Sequence, residues 1–292
     1  MKNALLFSGQ GSQHPNMLNE LVSDERAVKM FREASDILNL PVTKLDSKEA
    51  LSENQNVQLC VFLREMLYAD RLMEEKSWDM VSGHSIGSFA AACVAGALAF
   101  EDAVRLVYAR GSWMQEAFPH GYGMMAFTRI DARVIEKEIA KYNAASEAEA
   151  VVYPAVINAP DQLVASGSLV NLERFADTLH PIYYFETKRV RISVPSHCPL
   201  MDEVSVKIQE LVEHMELKTP SIRYVSNYSA RRGKTAALIR EDLIHGVAHT
   251  VRWYDGITLM KECGAEIYQE VGGSHILTDI GRSVYPKLQW KN

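Results

Sequence analysis

Apolar residues recur along the chain with two different periods, and each change of period predicts a change of element. Residues 4–7 are a short continuous apolar run that leads into a glycine turn, which reads as a first strand. Residues 57–75 carry helical spacing that ends before Trp78. Met80-Val81-Ser82 is a second candidate strand, and residues 88–97, rich in alanine and other apolar side chains, have the pattern of a buried helix. A further helix over 100–118 is broken by Pro119, Gly121 and Gly123. The next stretch behaves as a unit of its own: strand 124–128, helix 132–142, strand 151–158, strand 162–166, helix 169–179 and strand 182–187. That βαββαβ order is the ferredoxin-like pattern. It predicts a small subdomain, residues 124–187, inserted into a larger α/β body made of residues 1–123 and 188–292, which resumes with an apolar strand at 190–194.

Composition narrows the function classes. At 292 residues, one large domain with a smaller insert is the natural size reading, and 47% hydrophobic with 23% charged residues is the make-up of a soluble globular chain. A net charge of -6 argues against nucleic acid, which calls for a basic excess. No stretch reaches the ~18 apolar residues of a membrane span, and the first apolar run is too short for a signal-peptide core. A cytoplasmic protein without membrane contact is expected. The four cysteines, Cys60, Cys93, Cys198 and Cys263, form no CxxC pair, so neither a zinc site nor a disulfide framework is indicated.

Candidate chemistry begins at Gly83-His84-Ser85-Ile86-Gly87, which fits G-x-S-x-G. The match alone arises by chance in roughly one chain in ten of this length, but its place between an apolar strand and an alanine-rich helix is the context the mechanism requires. Ser85 is therefore the candidate nucleophile. A serine needs a base, and His197 begins a new segment after Pro195; His84, His245 and His249 are the other histidines to weigh. His245 and His249 have the i, i+4 spacing of helical metal ligands, yet no third ligand motif accompanies them. Gly9-Gln10-Gly11 follows the first strand but fails the dinucleotide fingerprint, because His14 stands where a glycine is needed. The alternative is that the Gln10 backbone N–H aims at an oxyanion near the serine. Arg110 lies in a largely apolar helix, either snorkelling to the surface or clamping a substrate carboxylate.

Together these residues resemble the malonyl-CoA:acyl-carrier-protein transacylase family over nearly the whole chain. The resemblance rests on Gly9-Gln10-Gly11-Ser12-Gln13, Gly83-His84-Ser85-Ile86-Gly87, Arg110-Gly111 with Met114-Gln115, Val194-Pro195-Ser196-His197-Cys198 and Val251-Arg252-Trp253, in that order. It implies an α/β-hydrolase-like large subdomain beside the ferredoxin-like one, a malonyl ester on Ser85, and His197 as base. It also implies an oxyanion hole from Gln10 and the Ile86 N–H, and Arg110 on the free malonyl carboxylate. Arg252 departs from the glutamine of well-known members; the resemblance implies that only the backbone carbonyl at that position matters, orienting the histidine.

Segments 85–92, 121–124 and 247–255 look more like the malonate decarboxylase branch, whose epsilon subunit moves malonyl onto the decarboxylase's own carrier protein. The expected activity is ping-pong malonyl transfer from malonyl-CoA to an acyl carrier protein, in that branch, with other decarboxylase subunits as further partners. The fatty-acid-synthesis transacylase and a serine thioesterase or esterase are the alternatives, and a non-catalytic docking subunit would show a broken dyad. No metal or bound cofactor is called for, since the CoA thioester is a substrate. Lys188, Arg189 and Arg191, with Arg231, Arg232 and Lys234, are candidates for a basic patch facing an acidic carrier, or simply solvated charges.

Overall fold

The computed structural model describes residues 2–145 and 151–292. In chain order its elements begin with β1 (Lys2–Phe7), α1 (Glu25–Leu38), α2 (Asn54–Glu75), β2 (Met80–Gly83), α3 (Gly87–Val94) and α4 (Phe100–Ala117). The middle of the chain gives β3 (Tyr122–Thr128), α5 (Ala132–Ala145), β4 (Val152–Ala159), β5 (Gln162–Ser168), α6 (Leu169–Leu179) and β6 (Glu186–Arg189). The remainder forms α7 (Asp202–Glu213), β7 (Arg223–Val225), β8 (Arg232–Gly233), α8 (Ala236–His245), α9 (Trp253–Glu262), β9 (Ala265–Glu270), α10 (Ile276–Val284) and β10 (Gln289–Lys291).

Two sheets organise these elements. The larger has the order β10-β9-β1-β2-β7-β8 and is parallel except for the β7–β8 pair. β1 and β2 lie at its centre, and residues 4–7 of β1 and all of β2 are buried, as strands covered by helices on both faces must be. The smaller sheet is antiparallel, in the order β4-β5-β3-β6. That is the strand order of a ferredoxin-like βαββαβ unit.

Alternation along the small sheet's strands places two sets of side chains on opposite faces. Phe127, Leu163 and Ala165 pack with Ile135, Leu172 and Phe175 of α5 and α6. Met124, Val156 and Val164 instead join Leu6, Met80 and Trp253 of the larger body. The small sheet is thus seated on the larger one by a shared apolar cluster, leaving a cleft between the two sheets.

Two expectations fail. The strand expected over 182–187 starts only at Glu186: Ile182 and Tyr184 are 66% and 77% exposed, and the Ile182 and Tyr183 amides still bond the Leu179 carbonyl at the end of α6. The true strand, Glu-Thr-Lys-Arg, is an exposed edge and carries no apolar alternation to betray it. Residues 190–194 form no strand at all. The Val190 amide extends the small sheet by one bond to the Met124 carbonyl, and then the chain leaves. It joins neither edge of the large sheet, which ends in β10 and β8. Among the described residues no helix is long and apolar enough to cross a membrane.

Candidate active site

Ser85 stands on the sharp turn between β2 and α3, with φ +56°. Its flanking glycines allow the turn to close. A Cβ on Gly83 would lie 2.0 Å from the Gly87 carbonyl carbon, and one on Gly87 2.5 Å from the Phe7 carbonyl oxygen. Two hydrogen bonds fix the strained turn: the His84 amide donates to Phe7 O at 2.8 Å, and the Ser85 amide donates to Asn227 Oδ1 at 2.8 Å. The cost of a non-glycine residue at positive φ, ~1–3 kcal/mol, is met by contacts that expose the hydroxyl at the head of a buried strand.

His197 approaches from the segment after Pro195, also at positive φ (+63°), and its Nε2 lies 2.7 Å from Ser85 Oγ. Its Nδ1 lies 2.6 Å from the Gly246 carbonyl oxygen, and its amide donates to Val247 O at 2.7 Å. A carbonyl can only accept, so Nδ1 carries the proton and Nε2 is left to accept from the serine. Gly246 caps the C-terminus of α8, where the helix presents its negative end, so the same carbonyl that sets the tautomer also favours the imidazolium. Burial, with the Arg110 charge as the second cause, pushes the His197 pKa down to about 3. The ring is neutral at neutral pH, with Nε2 free to accept a proton.

The orienting carbonyl is thus that of Gly246 and not of residue 252, which corrects the expectation for the late motif. The Arg252 carbonyl is engaged in the first turn of α9, accepting from Gly256 N at 3.0 Å, and its side chain pairs with Asp255 on the surface at 3.1 Å.

Gln10 and Ile86 flank the serine. Gln10 and Ser85 line one cavity, and a Cβ on Gly9 would come 3.6 Å from Ser85 Cβ. Neither the Gln10 nor the Ile86 backbone N–H donates to a protein acceptor among the described residues, while the Gln10 side chain donates to Asn54 Oδ1 at 3.0 Å. Two free donors beside a nucleophile are what an oxyanion site needs.

Arg110 is 2% exposed, so the snorkelling alternative is excluded. Its Nη1 donates to Gln58 Oε1 at 2.5 Å, and its guanidinium lies 5.8 Å from the Phe89 ring centroid. It forms no salt bridge among the described residues. Burial lowers its pKa to about 10, which leaves it charged at pH 7. Gly111 allows this placement, since a Cβ there would sit 2.3 Å from Gln55 Cα where α4 crosses α2.

Ser85 and His197 line two cavities. The larger, about 420 Å³, lies between the sheets, with Met124, Val156 and Val164 on one side, Gly9 and Gln10 on the other, and the exposed Lys188 and Arg191 at its mouth. The smaller, about 10 Å³, lies behind the pair and is lined by Arg110, Phe89 and Asn227 among others. The first is roomy enough for an extended ligand, whereas the second, lined in part by Arg110, has space for about one water.

The other candidates fall elsewhere. His84 turns its Nε2 to Asn158 Oδ1 at 3.1 Å and packs edge-on to Trp253, and burial lowers its pKa to about 4. His245 and His249 pack against Tyr228 in edge-on and tilted contacts, and no group of three metal-ligating side chains occurs among the described residues. Burial pushes the Cys198 thiol up to about 12. Arg231, Arg232 and Lys234 lie at the β8 edge, with Arg231 paired to Glu241 at 2.8 Å, while Lys188, Arg189 and Arg191 border the cavity.

Sequence reasoning missed Asn54, Gln58 and Asn227. The first two were detectable in principle, as amides four residues apart on one face of an apolar helix. Asn227 sits in a loop without periodicity.

Comparison with known proteins places this geometry. The chain matches the acyl transferase domain family over residues 4–285. It is 30% identical over 299 residues to a malonyl CoA-acyl carrier protein transacylase of Haemophilus influenzae, covering 99% of this chain and 94% of that one. The solved malonyl CoA-acyl carrier protein transacylase of Coxiella burnetii superposes with a TM-score of 0.91 at 30% identity, covering 99% of this chain and 93% of that one. A malonyl-transacylase solved in complex with its type II PKS acyl-carrier protein gives 0.91 at 28% identity, covering 100% and 96%. With a family match over nearly its whole length and such relatives at full coverage, the chain belongs to the malonyl-CoA:acyl-carrier-protein transacylase family of acyl transferase domains.

Proposed function

We propose that this chain transfers malonyl from malonyl-CoA to the thiol of an acyl carrier protein through an ester on Ser85. The observation that carries the reading is the hydrogen-bonded relay from Ser85 Oγ through His197 to the Gly246 carbonyl, at 2.7 and 2.6 Å. Ser85 Oγ attacks the thioester carbonyl while His197 Nε2 takes its proton, and the N–H groups of Gln10 and Ile86 hold the oxyanion. Collapse of the tetrahedral species breaks the C–S bond, and His197 returns the proton to the departing CoA sulfur. A carrier thiol then attacks the ester, giving its proton to His197, which passes it back to Ser85. Arg110 pairs with the free malonyl carboxylate. In this reading residues 1–123 and 188–292 form the catalytic body and 124–187 the insert that walls the cavity.

Within the family, the relatives quoted are carrier-protein transacylases, which favours that role over a malonate decarboxylase subunit. The decarboxylase reading keeps the support of segments 85–92, 121–124 and 247–255. Offering the malonyl-enzyme a fatty-acid-type carrier and a decarboxylase-type carrier, and comparing transfer rates, tests the choice. Preference for the decarboxylase carrier would reverse it. Rapid malonate release with no carrier present would instead indicate a thioesterase.

A further inference from the structure

One buried acid plays no part in the chemistry above. Glu65 lies on α2 at 2% exposure, and its Oε1 accepts from Ser8 Oγ at 3.0 Å. Its Oε2 is buried with no partner among the described residues. No cation pairs with it among the described residues. The charged neighbour is Glu270, whose own carboxylate is taken by the Leu277 and Thr278 amides at 3.2 and 2.8 Å. Burial first, and Glu270 in addition, push the Glu65 carboxyl well above the usual carboxylate range. Gly272 packs against it so closely that a Cβ there would come 3.3 Å from Glu65 Cγ.

Ser8 is the residue that joins the end of β1 to Gly9 and Gln10. Its neighbour Phe7 is tied through its carbonyl to His84, so the nucleophile side of the turn is anchored. The Ser8 hydroxyl bond to Glu65 anchors the other side on a long helix. We propose that Glu65 is a positioning residue which, through Ser8, sets where the Gln10 N–H points. The inference rests on the reading of Gln10 as an oxyanion donor. A neutral acceptor suffices for this task, because Ser8 only donates; an amide can replace the acid and an aliphatic side chain cannot.

The test compares Glu65→Leu, Glu65→Gln and Ser8→Ala in single-turnover acylation by malonyl-CoA and by acetyl-CoA. Outright loss of an oxyanion donor costs about 100- to 1000-fold, and a displaced donor keeps part of its effect. Glu65→Leu should therefore slow acylation about 10- to 100-fold for both substrates alike, since both present the same carbonyl oxygen, with half-saturation within about threefold of the parent. Ser8→Ala should fall in the same sense, and Glu65→Gln should recover most of the loss. If Glu65→Leu does not fold, Ser8→Ala and Glu65→Gln carry the comparison. A separate arm follows the 15N-labelled Gln10 amide of the unmutated protein when Ser85 is trapped as a phosphonate. An unmoved amide would overturn the oxyanion reading itself, and the inference with it. A moved amide with parental acylation in both Glu65→Leu and Ser8→Ala would overturn the Glu65 inference alone, as would a Gln variant as slow as the Leu variant.

Discussion

Replacing Arg110 separates a malonyl-specific enzyme from a general acyl carrier. The guanidinium is 2% exposed, has Gln58 as its hydrogen-bonded partner and stays cationic with a pKa near 10. A buried cation with no carboxylate partner among the described residues is poised to receive one from a substrate. Arg110→Ala would leave that substrate charge unpaired in a partly dry site, at a cost of about 2–5 kcal/mol. At ~1.4 kcal/mol per tenfold, malonyl transfer should fall roughly 30- to 4000-fold. Acetyl-CoA carries no such charge, so its transfer should hold or improve and the preference should narrow or reverse. Arg110→Lys should rescue only in part, because a point charge cannot copy a planar two-bond grip. Arg110→Met keeps much of the volume beside Phe89 without the charge, and should match Ala in selectivity. The assay is the ratio of kcat/KM for malonyl-CoA and acetyl-CoA in the four proteins. An equal fall for both substrates would refute carboxylate recognition and leave Arg110 as a support for the fold.

His197→Ala should slow acylation and transfer by about two to four orders of magnitude, and near-normal turnover would move the base to another histidine. Because His197 is held neutral down to about pH 3 by burial and by Arg110, kcat/KM for acylation should stay flat from pH 8 to pH 5; an acid limb at the ordinary histidine value, ~6.5, would contradict that placement. Arg110→Ala removes the neighbouring positive charge and should move any acid limb upward. Arg252→Gln should be almost silent in turnover, since its side chain pairs with Asp255 at the surface and its carbonyl serves α9; a severe loss would show a role that this placement does not contain.

Legibility of the sequence followed physical rules that can be named residue by residue. β1, β2 and the paired glycines at 83 and 87 were readable because buried parallel strands and a tight turn impose strict residue types. The βαββαβ order of the small sheet was readable from its alternation, except at β6, where an exposed edge strand has no buried face to pattern. Residues 190–194 misled because apolar side chains can line a cleft as well as a sheet. The Gly246 carbonyl was invisible for a different reason: any residue carries a carbonyl, so its role depends on where α8 ends relative to His197. Burial of Arg110 could not be separated from snorkelling until the crossing of α2 and α4 was known.

The central claim is a covalent malonyl ester on Ser85, and intact-protein mass spectrometry after brief mixing with malonyl-CoA tests it most directly. The unmodified sequence should gain one malonyl group, which an acyl carrier thiol then removes, and Ser85→Ala should gain none. Cys198 is no substitute, because burial holds its thiol protonated up to about pH 12. A full malonyl adduct on Ser85→Ala would contradict the assignment of the nucleophile.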